Sequence, residues 1–149
     1  MIEATITTTE VRDRDSRGAL AVELAELLAL LMPVLGNVNW RLLELEAIAT
    51  EALDLNDLRA QIERDPTGLE LGIDELKEVA AHLEQVVNAI LVVPRHDVSP
   101  RRPPVDARFY WAARLVLECV DGDLWKVTTG EQGIHRLLQA SFSDVATTA

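Results

Sequence analysis

Three small groupings in this 149-residue chain carry side chains able to do chemistry. Glu78 and His82 stand four apart, a spacing that sets a carboxylate and an imidazole on one helical face, where they could share an ion. A helical two-metal site needs two Glu-x-x-His pairs and two further carboxylates. Here the spacing is Glu-x-x-x-His, it occurs once, and no other histidine lies in 19–93, so the expectation is a solvated helix face with no metal. Asp121 and Asp123 flank Gly122, but the run of alternating aspartates and the distal Glu of a calcium loop are absent, and the three residues read as a hairpin turn. Cys119 is the single cysteine; as a nucleophile it would need a base beside it and an exposed, electropositive setting. It lies between Leu117 and Val120, the surroundings of a small core residue. His135 is the histidine that a helix folding back over the strands would bring to it. The serines (Ser16, Ser99, Ser141, Ser143) occupy caps, linkers or tails, outside any Gly-x-Ser-x-Gly elbow, and no glycine-rich phosphate loop occurs. No cofactor is called for, and a non-enzymatic role is favoured over an enzyme.

The aromatics point instead to binding. Four of the six (Phe109, Tyr110, Trp111, Trp125) lie in or beside one apolar stretch. Three are consecutive and cannot all face one side of a strand. With Arg108 and Arg114 beside them they have the composition of an interface hot spot; the plainer alternative is that they plug the end of the core. These six residues are the candidate binding site.

Charge is distributed unevenly. Residues 19–93 hold four basic and fourteen acidic residues, a balance of 4 − 14 = −10 out of the −11 carried by the whole chain, while 94–149 balance at seven against seven. Such a surface repels nucleic acid and anionic membranes over a Debye length of about 8–10 Å, and it steers basic partners inward. With 25 acidic residues some carboxylate pair is always close, so such a pair is no sign of hydrolytic chemistry. The lone cysteine excludes an internal disulfide and fits a reducing, cytoplasmic compartment. The leucine-rich run 18–35 is interrupted by Glu23, Glu26 and Pro33 and falls short of a membrane span. Arginine outnumbers lysine, as in bacteria with GC-rich genomes.

Periodicity supplies the elements that must position these groups. Ile2, Ala4 and Ile6 alternate with polar residues, an optional N-terminal strand over 2–11. Leu20, Leu24, Leu27, Leu28 and Leu31 recur at helix spacing, with Asp15 or Ser16 as cap and Pro33-Gly36 as the stop. Leu42, Leu45, Ala49 and Ala52 predict a second helix over 40–53. Asn56 would cap a short third over 57–64, and Asp65-Pro66-Thr67-Gly68 is a turn. Leu76, Val79, Ala80, Leu83, Val86, Val87, Ile90 and Leu91 predict a long amphipathic helix over 74–92. Four of the six prolines make 94–106 an extended Pro/Arg linker, and Arg95, Arg101 and Arg102 there read as a solvated connector. Residues 109–120 and 124–129 form a hairpin about Asp121-Gly122-Asp123. A short helix over 131–142 and a loose tail follow.

The expected architecture is therefore a single α+β domain, 1–149. Three to four helices pack on a small antiparallel sheet made by the C-terminal β-hairpin, with or without the N-terminal strand, and a short C-terminal helix closes it. Its parts are an acidic helical unit at 19–93, the linker at 94–106 and the hairpin plus helix at 107–142. The leading functional expectation is a protein-interaction domain, an acidic partner of a basic protein such as an immunity-type inhibitor of a toxin. Two alternatives stand beside it: a small enzyme or ligand-binding protein with its site near the hairpin, and an oligomerisation module, such as a homodimer, built on the leucine-rich helices.

Overall fold

Thr7, Thr9 and Val11 are buried and alternate with half-buried Thr8 and Glu10, the period of a strand with one face on a core. That strand, β1 (Thr7–Val11), opens a computed structural model that describes residues 6–95 and 113–148. In chain order there follow α1 (Leu24–Leu35), β2 (Trp40–Ala49), α2 (Leu55–Glu63), β3 (Leu69–Leu71), α3 (Ile73–Ala81), β4 (Leu83–Pro94), β5 (Ala113–Val120), β6 (Leu124–Thr129), α4 (Gln132–Ser141) and β7 (Val145–Thr148). The seven strands form one antiparallel sheet in the order β3-β2-β4-β5-β6-β1-β7.

All four helices of the described residues contribute to one core. Leu27, Leu28 and Leu31 of α1, Leu58 and Ile62 of α2, Leu76 and Ala80 of α3, and Ile134 and Leu138 of α4 meet Leu42, Leu91, Leu115, Leu117, Trp125 and Val127 of the sheet. Side chains of opposite parity form a smaller cluster on the reverse face: Leu43, Ile90, Val92, Ala113 and Val116. The central strands are thus apolar on both sides.

The fold is α+β, but the expected small sheet with a hairpin alone is wrong. Residues 40–49, expected as helix, are strand β2, and residues 83–94, expected as the second half of a long helix, are the central strand β4. In β2 the period of two is disguised by irregular pairing between Leu42 and Glu44, which puts Leu42 and Leu45 on the same face. In β4 both faces are buried, so Ile90-Leu91-Val92-Val93 is a continuous apolar run that fits a helix stripe or a two-sided strand equally. The helix breaks at His82, where the backbone turns to φ −102°, ψ 4° and the carbonyl accepts from Thr50 N–H at 2.8 Å.

Smaller corrections follow the same logic. Pro33 lies inside α1 rather than ending it, and the helix stops at Gly36, whose N–H reaches the Met32 carbonyl at 2.9 Å with φ 76°. Asp54, not Asn56, caps α2 through its carboxylate. Asp15 caps no helix; its carboxylate closes a turn by accepting from Arg17 and Ala19 N–H. The tail expected to be loose pairs as β7 with β1. The hairpin β5–β6, described from Ala113, and the helix α4 match the expected hairpin and short helix; residues 109–112 of the expected first strand lie outside the described residues.

Candidate functional site

The β5–β6 turn places Asp121 (φ 52°) and Gly122 (φ 64°) both in the left-handed region, the demand that Asp-Gly meets in tight hairpins. The turn is tied to its surroundings: Gly122 N–H donates to the Val87 carbonyl at 2.7 Å, Asp121 N–H donates to the Asn88 side chain, and the Asp123 carboxylate takes Arg14 at 2.5 Å. Arg14 belongs to the 12–23 connection, which folds over itself through an Arg14–Leu20 bridge. Its far end supplies the Val22 carbonyl to Trp125 Nε1–H at 2.9 Å. Between this connection, the α3–β4 junction and the hairpin turn is a cavity of about 310 Å³. Leu20, Val22, Leu24, Ala80, Leu83, Val86 and Trp125 give it apolar walls; its polar side chains are Asp15, Glu23, Glu84 and Gln85. That volume is at the lower end for small-ligand sites. A larger and more open hollow, about 520 Å³, lies at the other end of β4 beside Asn37, Asn39, Glu70 and Arg114.

Of the six candidate binding residues, only Arg114 and Trp125 are among the described residues, and these two lie apart. Phe109, Tyr110, Trp111 and Arg108 lie outside the described residues. Trp125 is 1% exposed and lines the cavity. Arg114 stands at the opposite end of the β5–β6 pair, where its guanidinium grips the Glu131 carboxylate at 2.9 and 3.1 Å and reaches the Leu35 carbonyl at 3.2 Å. It joins β5 to the ends of α1 and α4, a structural tie. The cavity's walls are not legible as a site in the sequence, because Leu20 and Leu24 fall on the stripe expected for the first helix, and Leu83 and Val86 on that expected for a helix over 74–92.

Cys119 and His135 do not meet. Cys119 pairs with Trp125, whereas Thr129, which touches His135, pairs with Leu115, four residues along β5 and roughly 13 Å away at about 3.3 Å per residue. His135, 2% exposed, has both ring nitrogens engaged. Nδ1 is 2.6 Å from Thr9 Oγ1; Nε2 is 2.6 Å from Thr7 Oγ1 and 2.9 Å from the Thr129 carbonyl. The carbonyl only accepts, so Nε2 carries hydrogen, while Nδ1 is bonded to the Thr9 hydroxyl. Thr9 in turn is bonded to Thr147, and Thr147 accepts from Gln139. The chain of bonds joins β1, β7 and α4. It leaves the imidazole no free nitrogen for proton transfer.

The Cys119 thiol is pushed up to about 11, by burial first and by the Asp121 charge, against the lowering effect of the Gly122 N–H. It therefore stays protonated at neutral pH, and the folded protein should react with iodoacetamide far more slowly than the urea-unfolded chain at pH 8. A thiol that binds its proton more tightly when folded makes stability fall as pH rises from 9 to about 11. Cys119→Ala should flatten that fall in urea midpoints measured across this range; an equal fall in the variant would remove the assignment.

His82 Nε2 is 3.2 Å from Glu78 Oε1 and its Nδ1 is 3.3 Å from Thr50 Oγ1, an end-of-helix arrangement on the surface. Among the described residues no group of three His, Cys, Asp or Glu side chains could hold a metal ion. The fourteen acidic residues of 19–93 are all exposed: two on the start of α1, two on β2, four on α3 and β4, and the rest on α2 and its flanking turns and β3. No helix among the described residues is long and apolar enough to cross a membrane. No protein-family model, curated protein or solved structure matches the chain.

Proposed function

We propose that this chain is a protein-interaction domain whose acidic surface, built by residues 19–93, receives a basic partner. The observation that carries this reading is the outward placement of all fourteen carboxylates of 19–93, against four basic side chains in the same span. One of those bases is near an acid of the same surface: Arg41 is 3.5 Å from Glu70. Carboxylates gathered around an ion or a buried water would have argued for chemistry. Carboxylates spread over solvent-facing helices, strands and turns contribute little to stability, but they accelerate and orient encounter with opposite charge. The buried thiol and the saturated imidazole support the same reading, since neither is available to a substrate.

The test is binding to a panel of folded basic proteins and one neutral control, at several salt concentrations. Affinity for at least one basic protein should fall steeply with salt. It should be lost in the charge-swapped variant Asp57→Lys/Glu63→Lys/Glu78→Lys, on α2 and α3, and kept when Gln132 and Gln139 of α4 are replaced by Lys. Equal binding of basic and neutral proteins, without salt dependence, would overturn the reading.

A further inference from the structure

The cavity beside the hairpin turn has a wall chemistry that selects its occupant. Its walls combine the apolar side chains of Leu20, Val22, Leu83, Val86 and Trp125 with a slightly larger share of polar surface, and its charged side chains are all carboxylates: Asp15, Glu23 and Glu84. No lysine, arginine or histidine lines it. The N-terminus of α1 also reaches the rim, but its partial positive charge is about half a unit, less than the three carboxylates bring. Glu23 is the N-cap residue of α1, yet its side chain makes no capping bond, and Glu84 is exposed. Both carboxylates are thus available to a guest, whereas that of Asp15 is held by Arg17 and Ala19 N–H. An occupant that matches has an aliphatic stem and a cationic head, so that the stem covers apolar wall while the charge stays at the wet, acidic rim. A volume of about 310 Å³ is small for a drug-sized ligand and ample for one long side chain.

We infer that this cavity is the socket for a single basic side chain, arginine or lysine, presented by the basic partner. The inference rests on the interaction reading above and gives it an anchor: the acidic surface steers, and the socket holds. Burial of an arginine stem in a pocket is the arrangement that concentrates binding energy at protein interfaces.

The experiment is an NMR titration of the full chain with Nα-acetyl-arginine amide, its neutral analogue Nα-acetyl-citrulline amide, and octa-arginine. The arginine probe should shift the amides of Val22, Gln85 and Gly122 and the indole N–H of Trp125, and the citrulline probe should not. Glu23→Gln/Glu84→Gln should weaken octa-arginine about tenfold, from two exposed charge contacts of about 0.7 kcal/mol each. Ala21→Phe, an exposed position on the cavity wall, should fill the space and remove the localised shifts; should it unfold the protein, the double Gln variant decides alone. If octa-arginine binds but its shifts spread over α2 and α3 and spare Gly122 and Gln85, the socket is wrong and the acidic-surface reading stands. Equal binding of the citrulline probe also removes the socket. If octa-arginine fails to bind the native chain at low salt, both fall together.

Discussion

Gly68→Ala should destabilise the protein by about 3 kcal/mol, the sum of roughly 1–2 kcal/mol for a non-glycine residue in a left-handed conformation and 1–3 kcal/mol for overpacking. Gly68 has φ +79°, and a Cβ there would lie 2.5 Å from the Leu42 carbonyl oxygen and 2.6 Å from Leu43 Cδ2. The nearer atom is backbone, so it cannot swing away. The neighbouring strand pair is short: β3 meets β2 only at Trp40–Leu71, Arg41–Glu70 and Leu42–Leu69. Displacing Leu42 at the irregular point of β2 therefore disturbs the whole of that edge. Gly18→Ala is the internal control, because its φ is +80° but nothing lies within 4 Å; it should lose only about 1 kcal/mol. Urea unfolding of both variants measures the difference. Equal losses would mean that Gly68 is required by its dihedral alone and not by its approach to β2.

His135→Leu should cost about 2–3 kcal/mol, although it puts an apolar side chain into a buried site. The substitution takes the ring away from the Thr9 and Thr7 hydroxyls and the Thr129 carbonyl; Thr9 keeps Thr147 and Thr7 keeps only a 3.5 Å contact from Gln132, and a buried group left unsatisfied costs about 1–3 kcal/mol. The loss should be local as well as global. Because the ring holds β1 and, through Thr9, β7, hydrogen exchange at Ala146–Thr148 should accelerate more than at Leu115–Leu117 in the sheet centre. Gln139→Ala removes only the exposed end of the chain of bonds and should cost under about 1 kcal/mol. Unchanged stability in His135→Leu would show that the threonines find other partners and that the imidazole is not the clasp of this edge.

Where local chemistry dictated conformation, the fold could be read from the sequence. Asp121-Gly122 fits the two left-handed positions of the β5–β6 turn, and Ile134, Leu137 and Leu138 give α4 its one-sided face. Residues 83–94 were not legible, because a strand buried on both faces loses its alternation, and Leu, Glu, Gln and Ala at its start favour helix in isolation. Only pairing with β2 and β5, distant in sequence, makes it a strand. The same holds for β3 and β7, of three and four residues, which have too little sequence to show a period. Composition makes Trp125 a binding candidate, whereas the residues that line the cavity with it come from the 12–23 connection and the α3–β4 junction, and no spacing rule links those segments. The uneven charge needed no structure to be seen. What the fold adds is that helix α3 carries its carboxylates on the side away from Leu76 and Ala80, which enter the core.

That arrangement makes recognition by charge the central claim, and encounter kinetics test it most directly. The association rate constant with a basic partner protein should rise steeply as ionic strength falls, toward the electrostatically steered range near 10⁸ M⁻¹s⁻¹ at low salt. It should flatten in the Asp57→Lys/Glu63→Lys/Glu78→Lys variant while the dissociation rate changes little. An association rate that ignores salt, or that survives reversal of those three charges, would contradict the account.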